Sequence, residues 1–548
     1  MILVTACFMR GSRLVWNDGR SCQKRAGACA AARWWRWLLP ALVVAVLAGC
    51  GTLPPPGDKP ASVALPARDG GDLAAIAKAS TPPGDLSGFR LLPLGPYALE
   101  ARLQLIERAA HSLDLQYYVL DDDATGRQLL RSLRDAAGRG VRVRLLVDDL
   151  FTSHSQAMLR ALADHPHIEV RLFNPFCCLR GSTLGRFAGS LGDVYRVNHR
   201  MHNKLLIADG LFAVAGGRNI SDEYFMLNMS SNFVDMDAFI AGAVVSQLQD
   251  IFDRYWNSEV VFPVQAIVPA AVPPSKAAAE FQRISAVEHA PPALPPVDAL
   301  GYGPIGEDLQ HGRVGLIWAP ARAFADPPDK LHKMSPEEAR EMSVSSEVRM
   351  TIWAAEQELV ITSPYLIPGP TGITAFEDLG RRKVHTVVLT NSLAATDEPL
   401  VHTGYARYRT RLLASGVDLY EISPERTRRT KRLGMFGSSF GRLHAKTAVV
   451  DRKTVFIGSM NLDPRSDTQN TELGIFIDSP QLARELLRIV NISKLQSAYR
   501  VRLDRDGNLE WLSMDDEQET ILTEEPEASL WLRVHNLLVS PFVPEQLL

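Results

Sequence analysis

Met201-His202-Asn203-Lys204-Leu205-Leu206-Ile207-Ala208-Asp209 places a histidine, a lysine and an aspartate at fixed spacing just ahead of Gly210. The same His-x-Lys-x-x-x-x-Asp pattern returns in the second half as His444-Ala445-Lys446-Thr447-Ala448-Val449-Val450-Asp451. A glycine turn and an asparagine follow each copy at matching distance, first Gly216-Gly217-Arg218-Asn219 and then Gly458-Ser459-Met460-Asn461. At about one-in-twenty odds per fixed residue, the 13 histidines of the chain would give ~0.03 accidental matches to the three-residue core. Two copies with matching tails are therefore a signal.

Read as a strand, each motif puts its histidine and lysine on one face, while Leu205 and Ile207 in the first copy take the other. Neutral imidazole can attack phosphorus, and lysine supplies fixed positive charge for phosphoryl oxygens. The Gly-x-x-Asn tails bring an amide and turn N–H groups to the same place, with Gly217 and Ser459 as supporting turn residues. The expected catalytic set is His202, Lys204, Asp209 and Asn219 with His444, Lys446, Asp451 and Asn461. One histidine would attack phosphorus and the other would move the proton of the leaving and entering alcohols. Two lysines and two asparagines could hold the non-bridging oxygens, each donor contributing about 2.7–4 kcal/mol by analogy with oxyanion holes. Asp209 and Asp451 end their strands and read first as turn or scaffold carboxylates, with direct proton transfer the lesser reading. No metal and no cofactor is expected, since lysine and asparagine do the electrostatic work. A single His-x-Lys would read as a surface strand with a basic face; the duplication displaces that reading.

Outward from the motifs the chain repeats an order of elements. Ala98 to His111 reads as a helix, Leu113 to Val119 as a strand, Gly126 to Ala137 as an amphipathic helix, and Val141 to Val147 and Ile168 to Phe173 as buried strands. Leu359-Val360-Ile361, Val384 to Leu389 and Val417 to Ser423 follow the same order in the second half. A closing helix comes after each motif, Val244 to Asn257 or Pro480 to Val490. Alternating strands and helices predict an α/β fold with helices on both sheet faces. The organisation expected is a signal segment over 1–50, a Pro/Gly-rich tether over 51–87 and a first domain over 88–262. A Pro/Ala-rich connector over 263–312 with one helix from Ser275 to Val287, a second domain over 313–500 and a C-terminal hairpin extension over 501–548 complete it.

The 548 residues, 46% apolar and 22% charged, are those of a globular protein and exclude disordered and polytopic membrane classes. Of 59 Lys/Arg and 62 Asp/Glu, seven and one lie in residues 1–50, so residues 51–548 carry 52 against 61, a net −9. That balance argues against a nucleic-acid coat. Arg33 and Arg36 precede an apolar run from Leu38 to Ala48 that ends in Leu47-Ala48-Gly49-Cys50, resembling a bacterial lipobox with Cys50 as the lipid attachment. An uncleaved anchor helix or a plain signal peptide is the alternative. The lipobox predicts an exported, membrane-anchored lipoprotein on the periplasmic side of a bacterial envelope. Cys177 and Cys178 are the cysteines left after Cys50, and adjacent cysteines seldom bridge each other, so they read as buried thiols.

The two motifs, their tails and the duplication resemble the phospholipase D superfamily, over about residues 90 to 500. That resemblance implies two similar mixed-sheet α/β domains flanked by helices, with one active site at their interface. It also implies a phosphohistidine intermediate and an orienting carboxylate for each histidine from the opposite half: Glu472 for His202 and Asp235 for His444, with Asp237 a close competitor of Asp235. Within the superfamily, Asn198-His199-Arg200-Met201-His202-Asn203-Lys204, Gly216 to Phe225, Phe252 to Ser258 and Thr390 to Asp397 are similar to bacterial cardiolipin synthases of the C type. The implied substrates are phosphatidylglycerol and a second phospholipid, with phosphatidylethanolamine a candidate, met at a membrane surface. Hydrolysis by water shares every catalytic residue and is the alternative activity. A nuclease is disfavoured by the acidic chain and the absence of a basic-aromatic track, so no nucleic-acid partner is expected. A non-catalytic lipid-binding lipoprotein is the remaining alternative.

Overall fold

Short apolar runs interleaved with amphipathic helices build two mixed sheets that share one core. The computed structural model describes residues 53–55, 57–287, 294–330, 338, 343–429, 439–515 and 518–545; the signal segment 1–50 and Cys50 lie outside them. In chain order the first half supplies β1 (Ser87–Leu92), β2 (Ser112–Tyr117), β3 (Arg142–Asp148), β4 (Ile168–Phe173), β5 (Arg200–Met201) and β6 (Leu205–Ala208). β7 (Phe212–Gly216), β8 (Ser231–Val234), β9 (Asp237–Gly242), β10 (Val261–Pro263) and β11 (Ile317–Ala319) follow. Nine of them form one sheet in the order β10-β4-β3-β2-β6-β7-β9-β1-β11. The second half supplies β12 (Ala321–Ala325), β13 (Glu358–Thr362), β14 (His385–Asn391), β15 (Asp418–Ile422), β16 (Phe440–Leu443) and β17 (Thr447–Val450). After these come β18 (Thr454–Gly458), β19 (Asn470–Thr471), β20 (Leu473–Asp478), β21 (Ala498–Leu503), β22 (Leu509–Asp515) and β23 (Gln518–Leu522). Ten of them form a second sheet in the order β12-β20-β18-β17-β13-β14-β15-β21-β22-β23.

The duplication is visible in the pairing. β2, β3 and β4 run parallel, as do β13, β14 and β15, and each set continues through antiparallel strands that carry a motif. Parallel neighbours need crossover helices. Ala124–Gly138, capped by Asp123 on the Gly126 amide, buries Leu129, Leu130 and Leu133; Gly369–Arg381 buries Ile373, Phe376 and Leu379 in the matching place. Phe89, Leu146 and Ile207 of the first half lie in one cluster with Val387, Ile457 and Ile475 of the second. At roughly 1.5–3 kcal/mol per buried aliphatic or aromatic side chain, that shared cluster welds the halves together.

Three features differ from the sequence reading. The stretch expected as a free tether over 51–87 is docked where it is described. Lys59 donates to the carbonyls of Ser258 and Val261 (2.8 and 3.1 Å), the Ala64 amide meets Asp253 (2.7 Å), and the Ser62 hydroxyl accepts from the Trp256 indole (2.9 Å). Buried Arg144 and Arg171 take the carbonyls of Ser62 and Pro60, polar partners that those guanidinium groups require. The chain passes between sheets at Pro320, so β11 joins the first sheet although it lies beyond the expected boundary at 313. The C-terminal hairpin is the edge of the second sheet, β21 to β23, followed by a helix over Leu530–Val539. No helix among the described residues is long and apolar enough to cross a membrane.

Candidate active site

Two short parallel ladders cross between the halves and fix the chemistry. β5 pairs with β19, Met201 facing Thr471; β8 pairs with β16, Val234 facing Leu443. One residue further along each ladder, a histidine of one half stands opposite a carboxylate of the other. His202 Nδ1 lies 2.9 Å from Glu472 Oε2, and His444 Nδ1 lies 2.7 Å from Asp235 Oδ2. The backbone amides of His202 and His444 donate across the same ladders to Thr471 (2.9 Å) and Val234 (2.8 Å), so register sets each pair. Asp237, the competitor for Asp235, is engaged within its own half by Arg102 at 2.9 Å and Arg218 at 3.4 Å.

Histidine and lysine precede their strands rather than sitting on them, since β6 begins at Leu205 and β17 at Thr447. Each lysine ammonium folds back on the carbonyl of its own histidine, Lys204 on His202 at 2.5 Å and Lys446 on His444. Both dyads and both lysines are buried. Burial pushes His202 well below its ordinary value, and the charges of Lys204, Lys446 and His444 push the same way, which places the two motifs in one electrostatic site. Burial also lowers His444, aided by Lys446 and opposed by Asp235. The resting imidazoles are therefore neutral near pH 7. Burial lowers Lys204 strongly and brings Lys446 down to about 8. The carboxylates diverge. Burial pushes Glu472 up to about 7, whereas Asp235, against the same penalty, is held well below the usual carboxylate range by His444 and Lys446.

The motif aspartates stand apart from this centre. Asp209, at φ 53°, accepts the amides of Ala110, His111 and Ser112 at 2.9, 2.7 and 2.8 Å. Asp451, at φ 50°, takes those of Glu356, Gln357 and Glu358 at 3.0, 2.7 and 3.0 Å. Each closes the turn where a helix feeds the strand beside its motif. The asparagines differ as well. Asn219 accepts from the Val119 amide (3.2 Å) and donates to the Tyr224 hydroxyl (2.8 Å), whereas the buried Asn461 Oδ1 has no protein donor. Gly217 and Ser459 each meet a carboxylate. A Cβ on Gly217 would lie 2.1 Å from Asp235 Oδ1, and the Ser459 hydroxyl donates to Glu472.

Tyr118 and Tyr224 were missed as site residues. Their rings stand edge-on to His202 and His444, centroids 5.0 Å apart in both cases. Tyr224 accepts from Asn219, and its hydroxyl also lies 3.4 Å from His444 Nε2. Asp397, hydrogen-bonded to Tyr365 at 2.8 Å, bears on His444 and Lys446. Their signals were present, since Tyr224 follows the first asparagine and Asp397 closes the Thr390 to Asp397 stretch. Among the described residues no group of three or more His, Cys, Asp or Glu could hold a metal ion. A cavity of about 520 Å³ opens beside Asp235, lined by Val234, Leu389, Leu443, Ala445 and Ile489; neither histidine lines it. Cys177 and Cys178 are free and partly exposed rather than buried.

This arrangement can be set beside known proteins. A family model described as cardiolipin synthase, PLD-like domain, matches residues 103–256 and 348–492, one match per half. Cardiolipin synthase C of Escherichia coli K12 is 40% identical over 454 residues, covering 82% of this chain and 94% of that protein. Cardiolipin synthase 1 of Staphylococcus aureus MRSA252 is 24% identical over 387 residues, covering 70% of this chain and 62% of that protein. The crystal structure of phosphatidylserine synthase from Haemophilus influenzae superposes with a TM-score of 0.54 at 12% identity. It covers 85% of this chain and 98% of that one, a likeness of fold.

Proposed function

The chain belongs to the cardiolipin synthase family of phospholipase D-like proteins, and from that premise we propose that it moves a phosphatidyl group between phospholipids. The product is cardiolipin, made from phosphatidylglycerol and a second phospholipid. The observation that carries this reading is the cross-half register that gives each of two buried histidines a carboxylate of the opposite half on Nδ1 and so turns Nε2 away from it.

A phosphodiester anion entering between Lys204 and Lys446 offsets the positive charge that depresses both imidazoles, so that one of them can hold a proton. Nε2 of the first histidine attacks phosphorus and the P–O bond to the leaving alcohol breaks. The second histidine, protonated, gives its proton to the departing oxygen. The same histidine then takes the proton from the hydroxyl of an acceptor phosphatidylglycerol. The freed oxygen attacks phosphorus, the P–N bond breaks, and the first histidine is regenerated. Asp235 is the better-ionised carboxylate and favours an imidazolium on His444, which supports His444 as proton carrier and His202 as nucleophile. Lys204, Lys446 and Asn461 hold phosphoryl oxygens, while Asp209 and Asp451 brace the turns behind them. Cys50 and the apolar run before it support a lipoprotein on the periplasmic side, with the site facing membrane lipid.

The test is lipid analysis after incubating the protein with labelled phosphatidylglycerol, with and without phosphatidylethanolamine. Labelled cardiolipin is expected, with release of glycerol or ethanolamine according to the donor. Phosphatidic acid without cardiolipin would assign hydrolysis instead.

A further inference from the structure

The segment before the first motif is built inside out. Helices Thr183–Gly189 and Val194–Val197, joined by a single turn over Leu191–Asp193, carry Leu184, Phe187, Leu191, Val194 and Tyr195. That three-and-four spacing is the apolar stripe of an amphipathic helix, which ordinarily faces a core. Here all five face solvent, Leu184 at 67% and Tyr195 at 68% exposure. The arginines point inward instead. Arg186 is fully buried against the carbonyl of Asp149 and the Thr152 hydroxyl, Arg180 grips both oxygens of Asp149 at 2.6 Å, and Arg196 donates to Asn174 at 2.5 Å. A polar root pins the segment while its greasy side is left outside.

That root leads along the chain into the site. Asn198, the next residue, donates to Gln469 (2.6 Å) and accepts from Arg465 (3.1 Å), and His202 lies four residues on. Phe151, two residues past Asp149, is exposed and stands edge-on to Tyr118, which stands edge-on to His202. A second stripe adjoins the segment that bears on His444. On helix Leu530–Val539 the side chains of Leu530, Trp531, Val534, Leu537 and Leu538 are exposed along one face, Trp531 at 75%. The opposite face is held by Asn536 on the Pro399 carbonyl (3.1 Å), directly after Asp397 and Glu398. Asp397 bears on His444, and Glu398 on the Arg465 that grips Asn198.

We propose that these two stripes are a bilayer-insertion lip: their apolar side chains enter the headgroup–acyl boundary of a phospholipid surface and present headgroups to the cleft between His202 and His444. The occupant follows from the site the stripes border. On the phosphatidyl-transfer reading, on which this proposal rests, both substrates lie in a bilayer while both histidines are buried. The lip places aromatic rings and leucines where such side chains settle in membrane interfaces. Charge does not supply the attraction, because residues 51–548 carry a net −9 and phosphatidylglycerol is anionic. Adsorption through the lip is therefore apolar and insensitive to salt.

The test uses the full chain with Cys50→Ser, so that an acyl anchor does not hold every variant on the vesicle. Binding to vesicles of phosphatidylglycerol and phosphatidylethanolamine is measured by sedimentation at low and high salt. The variants are Leu184→Ser with Leu191→Ser, and Trp531→Ser with Leu537→Ser. Each pair is expected to weaken vesicle binding at least tenfold and to lower transfer on vesicles equally. Transfer on monomeric short-chain phosphatidylglycerol, and the melting temperature, stay unchanged. Vesicle binding that survives both pairs overturns the lip, as does an equal loss on monomeric substrate. So does a change of oligomeric state with vesicle binding intact, which would make the stripes a self-association surface. If the unsubstituted chain transfers nothing on either substrate but binds vesicles through the stripes, the functional reading falls and the lip stands.

Discussion

The two histidine–carboxylate pairs occupy matching places in a duplicated fold, and their surroundings differ. Asp235 is short and lies so close to Gly217 that any side chain there would strike it. Glu472 is one methylene longer and accepts the hydroxyl of Ser459, the residue in the equivalent place. Glycine stands beside aspartate in one half, and serine beside glutamate in the other. The electrostatic outcome is unequal: Asp235 stays ionised, while Glu472 is pushed up to about 7. Duplication thus supplied two similar pairs, and the charges around each carboxylate, above all His444 and Lys446 at Asp235, set them apart.

The sharpest way to break that comparison is to remove each histidine. His202→Ala and His444→Ala should each lower kcat by about 10⁴-fold or more. Reactions with labelled phosphatidylglycerol quenched in mildly alkaline detergent, where a P–N bond survives, should trap a phosphoenzyme in His444→Ala and none in His202→Ala. The reverse pattern would exchange the roles. Next come the carboxylates. Asp235→Asn should cost roughly 10³-fold in kcat, as expected when an ionised orienting carboxylate is lost, and Glu472→Gln only about tenfold. Equal losses would erase the electrostatic difference between the halves.

Smaller effects probe the packing. Gly217→Ala should destabilise by about 1–3 kcal/mol as Asp235 is displaced, and Ser459→Ala by about 1 kcal/mol for the lost hydrogen bond. Denaturant titration of both variants would rank them. The pH profile of kcat/KM should climb through about 7 as Glu472 gives up its proton and fall above about 8 as Lys446 loses its charge. Glu472→Gln should remove the acid limb at a lower overall rate. The least effect on rate belongs to Asp209→Ala. It should leave kcat within about twofold while costing about 2 kcal/mol of stability, because its carboxylate serves three backbone amides.

Much of this was legible in the chain. Repeated motifs, strand order and the helices over 124–138 and 480–496 follow from periodicity that is local. The identities of Glu472 and Asp235 came through family resemblance, because nothing near either residue says which histidine it meets. What stayed hidden depends on partners far along the chain. His202 and Lys204 read as strand residues because the ladder that takes them out of β6 is made with Asn470 and Thr471. The Pro- and Gly-rich composition of residues 51–87 speaks of extension and is silent on buried arginines that donate to its carbonyls. Pro320 gives no sign that the strands on either side of it join different sheets.

The crossed ladders also decide when the protein becomes reactive. His202 leaves the ribosome 270 residues before Glu472, and Asp235 leaves 209 before His444. Until β19 of the second half is made and paired with β5, His202 lacks its carboxylate, and until His444 is made no second histidine exists to share a phosphodiester. A chain interrupted between β7 and β19 carries a complete first motif, but its His202 has no Glu472 to meet. An activity able to rearrange lipids is thereby locked to the finished fold, with completion of the polypeptide as the key.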